Sequence, residues 1–321
     1  MSFPSWTLVG DAAGVTTPVP HRRATREGVL LMLTSAAANQ TGAAVAALGF
    51  PVLGPLGVVA VRQWVASAAL LAIARPRVRR WTAAQWRPVL ALAVVFAVIN
   101  ISLYTAVARL GLGLAVTLEF LGPLAVALLG LRRPVDLGCA LLAGAGVVVL
   151  ARPEASTDYL GLGLGLFAAV CWAAYILVNR ALGERVAGPE GPAVAQTLSA
   201  CAYVPVGIAV FVHHPPTAAA LGAAAAAGVL CSAVPFLADL AALRRVPARL
   251  FGLGMSVNPV LAALAGWVVL GQSLSWLAWA AILAIVAANV VTVATAPRRV
   301  AVPEPADQAS MVTVAPTCAQ P

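Results

Sequence analysis

Long apolar runs, broken at near-regular intervals by short segments that carry arginine or proline, fill most of the chain. A helix needs about 20 residues to cross a bilayer. Runs of that kind fall at 28–48, 56–74, 89–108, 112–131, 137–151, 160–179, 193–212, 219–240, 250–270 and 276–296, which predicts ten helices. The fifth is short and the eighth is alanine-rich. Residues 1–26 and 298–321, rich in Pro, Thr, Ala and charge and without periodicity, are expected to be disordered tails. Arg22, Arg23 and Arg26 precede the first run as the basic region of a secretory signal would. That run is full length and leads straight into a second, so it is expected to be kept as a span.

Composition excludes a soluble globule. Of 321 residues, 61% are hydrophobic and 10% charged, with a mean hydropathy of +0.94, against about 45–50% and 25% in ordinary soluble domains. The net charge of +9 does not indicate a nucleic-acid partner, because the arginines sit in clusters between apolar runs and form no charged face. Few aromatics and much Ala, Val, Leu and Gly suit closely packed membrane helices, not the wall of a porin.

The arginines also predict orientation, since cytoplasmic loops carry the excess of basic residues. With the N-terminus inside, the inner segments hold Arg22, Arg23, Arg26, Arg75, Arg77, Arg79, Arg80, Arg87, Arg132, Arg133, Arg180, Arg185, Arg244, Arg245, Arg249, Arg298 and Arg299. The outer ones hold only Arg109 and Arg152, and Arg62 lies within a helix. Both tails are therefore expected in the cytoplasm of a multi-pass inner or plasma membrane protein.

The stretch 118–130 in the fourth run aligns with 254–266 in the ninth, which brings Pro123 onto Pro259 and Gly130 onto Gly266 at an offset of 136. Five runs separate the copies, an odd number, so they cross in opposite senses. The chain is thus expected to be an all-α integral membrane protein of two inverted five-helix repeats, 28–151 and 160–296. In transporters of such inverted architecture the binding site lies near the midplane between the halves.

Charge inside a span costs about 2.5–3.5 kcal/mol on insertion scales and marks function by default. Three residues qualify: Arg62 mid-way along the second run, Glu119 in the fourth, and Asp239 near the cytoplasmic end of the eighth. Asp239 also reads as an interfacial residue beside Arg244 and Arg245. Pro123 and Pro259 are expected to kink their helices and free the carbonyls of Glu119 and Met255, because proline lacks the N–H that would bond residue i−4. Neutral groups share helix faces with these charges: Asn39 and Gln40 in the first run, Asn100 and Tyr104 at i, i+4 in the third, Trp172 and Tyr175 at i, i+3 in the sixth. Gly161, Gly165 and the Ala262-to-Gly266 spacing predict close helix packing.

Other chemistries lack their residues. Four of the five cysteines (Cys139, Cys171, Cys201, Cys231) lie in apolar runs and Cys318 in the tail, with no CxxC, so they read as small buried residues. His21 and the His213-His214 pair do not converge with other ligands, and no metal is expected. HExxH, GxSxG and the P-loop are missing, the last impossible without lysine, so neither an enzyme nor an ATP-driven pump is expected and no cofactor is implied.

The segments 118–127, Arg132-Arg133-Pro134-Val135-Asp136, 171–177 and Met255-Ser256-Val257-Asn258-Pro259 together resemble the drug/metabolite transporter superfamily of EamA type, and within it the threonine and homoserine exporters. Gly57 to Arg62 and Pro235 to Asp239 are similar to the family's second and eighth helices, and the likeness runs from about 28 to 297. Two positions depart: the family usually has Glu where Asn258 precedes Pro259, and Gly-Glu where this chain has Gly271-Gln272. The resemblance implies a ten-helix bundle exporting small amino acids or related metabolites in exchange for protons. With those acids missing, Glu119 and Asp239 are left as coupling groups.

A zwitterion suits the candidate pocket: Arg62 for a carboxylate, Glu119 for an ammonium or proton, and Asn39, Gln40, Asn100, Tyr104, Trp172, Tyr175 and Asn258 for polar groups. The expected partners are the small-molecule substrate, protons and the lipid bilayer, with the chain a monomer or homodimer. An importer or a cation or drug exporter of the same superfamily are the alternatives, along with a non-transporting scaffold or sensor, for which the tails are short and featureless.

Overall fold

The computed structural model describes residues 22–128, 134–150, 158–186, 188–243, 245–246 and 248–295, and they form helices and short connections. Seven helical stretches of 20 to 28 residues are apolar and long enough to cross a membrane, and three shorter ones (112–128, 137–149 and 258–270) are apolar too. Helix α1 (Arg22–Ala47) starts inside the segment expected to be a tail, because Arg22 to Glu27 simply extend the first apolar run as a polar first turn. Residues 1–21 and 296–321, with His21 and Cys318, lie outside the described residues.

Helix α2 (Phe50–Ala74) is bent at Gly54, whose φ of 63° precedes Pro55. Only a residue without a Cβ takes that left-handed conformation at little cost. Helix α3 (Ala83–Leu110) begins at Thr82, whose N–H donates to Gln85 Oε1 at 2.9 Å.

The fourth run is two helices, not one continuous span. Helix α4 (Leu112–Glu119) stops before Phe120, and α5 (Leu121–Leu128) resumes with Pro123 inside it. The ninth breaks alike, into α11 (Ala248–Met255) and α12 (Asn258–Leu270), where Pro259 cannot donate to Met255. The eighth is interrupted a third way: α9 (Ala218–Gly228) widens into a π turn at Val229–Ala233 before α10 (Val234–Leu243). Pro235 has no N–H for the Cys231 carbonyl, and the wide turn absorbs the misfit.

The remaining helices are α6 (Pro134–Leu150), α7 (Tyr159–Gly183), α8 (Glu190–His213) and α13 (Trp276–Thr295). Asp158 caps α7 by accepting from Gly161 N at 2.8 Å and pairs with Arg109 at 2.7 Å. The Gly161 amide first, and then the Arg109 guanidinium, hold its carboxyl below the ordinary value.

Helix α2 packs on α8, α3 on α7 and α8, α6 on α13, and α1 on α10 and α12. Small residues allow the close approaches. A Cβ on Gly122 would run into the Ala169 carbonyl of α7, and Gly161 and Gly165 sit against Leu110 and Leu118. A polar seam joins α2 to α8: Gln63 donates to Ser199 Oγ (2.9 Å) and accepts from Gln196 (2.6 Å), Ser67 donates to Thr197 (3.0 Å), and Trp64 Nε1 donates to the Ala200 carbonyl (3.1 Å). Without water, each such group must find its partner inside the bundle.

Candidate transport site

The breaks and close contacts leave a cavity of about 190 Å³ between α1, α2, α3, α4 and α7. Its wall includes Asn39, Gln40, Arg62, Asn100, Tyr104, Glu119, Trp172 and Tyr175. Eight of the nine expected substrate groups therefore converge, although they come from five helices and span 137 positions of the chain. The ninth, Asn258, stands outside this wall but touches it, because Gln40 Nε2 donates to its Oδ1 at 2.9 Å.

Arg62 is positioned by other neighbours than a carboxylate. Its guanidinium donates to Asn100 Oδ1 at 2.8 Å and lies over the Tyr104 ring, 4.8 Å from the centroid. Asn100 is itself pinned by donating to the Phe96 carbonyl at 2.7 Å. Arg62 is not paired with Glu119: no ion pair within 4 Å joins them among the described residues, and Arg62 Nε is buried with no acceptor. Glu119 is 5% exposed and also lines the cavity. The chamber thus holds a cation and an acid that each lack a direct counter-ion.

The free acceptor expected at the Pro259 kink is not offered to the cavity. Asn258 Nδ2 donates to the Met255 carbonyl at 2.8 Å, so the acceptor freed by Pro259 is taken up by the adjacent side chain. Asn258 therefore ties α11, α12 and α1 together. Gln272 has a comparable task at the turn from α3 into α4: its Oε1 accepts the Leu112 N–H at 3.0 Å and closes the first turn of α4, the helix that carries Glu119.

Asp239 does not enter this chamber. It lines a larger cavity of about 610 Å³ with Ser35, Asn258, Asn289 and Thr292. Its expected neighbour Arg245 is turned away, to Glu27 at 3.8 Å and to the Ala241 carbonyl, and the side chain of Arg244 is not among the described residues. Asn289 and Ser35 escaped the sequence reading, though a polar residue within an apolar run was the signal that found Asn39 and Asn100. The four described cysteines are free, but not uniformly buried: Cys201 is exposed. Cys231 is half-buried, donating to the Asn39 carbonyl at 3.3 Å and lying 3.9 Å from the Tyr104 hydroxyl.

Apolar helices of membrane-crossing length enclosing a small chamber with opposite charges are the architecture of a membrane transporter. Similarity to known proteins agrees. Residues 159–294 match the EamA-like transporter family. The chain is 35% identical over 264 residues to the threonine/homoserine exporter RhtA of Salmonella typhimurium strain LT2, and 34% identical to the RhtA of Escherichia coli strain K12. Each match covers 81% of this chain and 89% of the relative. A crystal structure with 21% identity superposes at a TM-score of 0.53 over 84% of this chain and 94% of that one, a likeness of fold alone. The chain belongs to the EamA-like transporter family.

Proposed function

We propose that this protein is a proton-coupled secondary exporter of small amino acids of the threonine and homoserine kind, and that it works as ten spans in two inverted repeats with both ends in the cytoplasm. The observation that carries the substrate reading is the unpaired placement of Arg62 and Glu119 on one cavity wall. Arg62 is fixed by Asn100 and Tyr104 and presents a cation to a carboxylate, while Glu119 offers an acceptor to an ammonium or takes the proton that replaces it. At about 190 Å³ the chamber is below the roughly 300–1,000 Å³ of drug-sized sites, which favours an amino acid over a drug. The names of the RhtA relatives point the same way.

The repeat reading has support at the level of helix ends. Moving α4 by 136 positions gives the bounds of α11, and both pieces end just before a break at a proline-bearing helix. Gln63 and Ser199, and likewise Trp64 and Ala200, are 136 positions apart and hydrogen-bonded. Equivalent residues of two repeats touch only near the axis that relates them. The test is efflux of labelled threonine and homoserine from loaded vesicles, with and without a proton gradient. Gradient-dependent release from wild type, lost in Arg62→Ala, is the expected result; equal release with and without the protein would overturn the reading.

A further inference from the structure

We infer that the Asp239 cavity is a second station for the substrate, one that binds its ammonium group, separated from the Arg62 and Glu119 chamber by a partition of Asn39, Trp172 and Tyr175. The inference rests on the amino-acid reading above and adds to it a site and a division of labour.

The partition is read from the walls. Asn39, Trp172 and Tyr175 line both cavities, so the two adjoin at these three side chains. Asn39 on α1 and Tyr175 on α7 are also 136 positions apart, so the partition lies where the two repeats meet. Trp172 is held edge-on to Phe120, with ring centroids 4.7 Å apart, at the break between α4 and α5. A change in that break would therefore move the partition.

The charge of the two cavities differs. The first has Arg62 and Glu119. Among the described residues lining the second, Asp239 is the one formally charged group. Its carboxylate is hydrogen-bonded to Ser35, and its Oδ1 is buried without a partner. An orphaned buried carboxylate oxygen is costly and calls for a donor. Arg245, the nearest described cation along the chain, is engaged elsewhere. Thr292 spends its hydroxyl proton on the Ala288 carbonyl, so what it offers the cavity is lone pairs. Asn258 and Asn289 add amide groups. An acid beside the lone pairs of Thr292 and the two amides, with no cation for a carboxylate among the described lining residues, selects a primary ammonium. At about 610 Å³ the cavity holds a small amino acid together with several waters, each of which takes about 30 Å³.

Equilibrium binding of labelled threonine to the purified full-length protein tests this. Two threonines per chain are expected for wild type, one in Asp239→Asn, one in Arg62→Gln, and two in Asp239→Glu. Ethanolamine, a hydroxylated primary amine without a carboxylate, should displace one of the two from wild type and none from Asp239→Asn. A single site in wild type, two sites in Asp239→Asn, or loss of both in Asp239→Asn at an unchanged melting temperature overturns the inference. If Asp239→Asn does not fold, the ethanolamine competition on wild type decides, and failure to displace overturns it. No threonine binding by wild type overturns the amino-acid reading itself and this inference with it.

Discussion

Arg62 shows how a single buried cation is made tolerable without an ion pair. Stacking on Tyr104 and one charge-assisted hydrogen bond to Asn100 replace part of its lost hydration. Lysine cannot do both, because its ammonium has no planar face and no fork of donors. Hydrogen bonds to charged groups contribute about 1.5–3 kcal/mol. Arg62→Ala should therefore raise the KM for threonine efflux about 10- to 100-fold, and Arg62→Lys should recover little of it; a wild-type KM in Arg62→Ala would remove the anchor role. Glu119→Gln keeps the shape of the side chain and removes its charge. It should insert normally and release substrate at the same rate with and without a proton gradient. Persistent gradient-driven transport in this variant would move the coupling role to Asp239.

The break between α11 and α12 is closed by a particular side chain. Asn258 satisfies the Met255 carbonyl and the Gln40 amide at once. Asn258→Ala leaves both unpaired, at about 1–3 kcal/mol apiece, and should lower the melting temperature in detergent more than Asn289→Ala, which releases only the Ile285 carbonyl. Gly122→Ala forces α5 away from α7 and should cost about 1–3 kcal/mol by overpacking. That loss is read by the same melt and accompanied by altered Trp172 fluorescence, since Phe120 and Trp172 pack across this contact. The cap of α7 carries a pH dependence of known sign. The Asp158 carboxyl sits below its ordinary value of 3.8, so its stabilisation is present above that value and is lost as the pH falls through the lower, folded one. Asp158→Asn should lower the melting temperature near neutrality and converge with wild type in acid, which flattens the acid limb of the profile.

For the molecule as a whole, the arginine distribution and the ten helical stretches make one prediction about topology. A reporter fused at His213 should signal the outside and one at Ala84 the inside. An outside signal at Ala84 would reverse the orientation and separate it from the repeat argument, which depends only on the relative sense of the two halves. The polar seam between α2 and α8 lies where equivalent positions meet. It should stay formed while α1, α7 and the broken helices α4–α5 and α11–α12 rearrange around the cavities. A disulfide across the seam at Ser67 and Thr197, both changed to Cys, should therefore leave efflux near wild type.

The existence of the helices was legible, because in a bilayer every backbone group must be satisfied within its own segment and the apolar runs reveal where that happens, although their ends and interruptions were less so. Pro123 and Pro259 likewise foretold the breaks in the fourth and ninth runs, since the missing N–H is a local property of the chain, but the wide turn before Pro235 and the bend at Gly54 were not foretold. The candidate polar residues were legible for the same reason: each is an expense in an apolar run. Their grouping was not. Arg62 reaches Asn100 and Tyr104 and leaves Glu119 unpaired, Asp239 falls into a separate cavity, and Asn258 and Gln272 act as ties between helices instead of as acids. Those outcomes depend on the rotation of each helix about its axis and on how closely Gly122 and Gly165 let neighbours approach. Both are set by packing between segments far apart in the chain, for which linear order carries no coordinate.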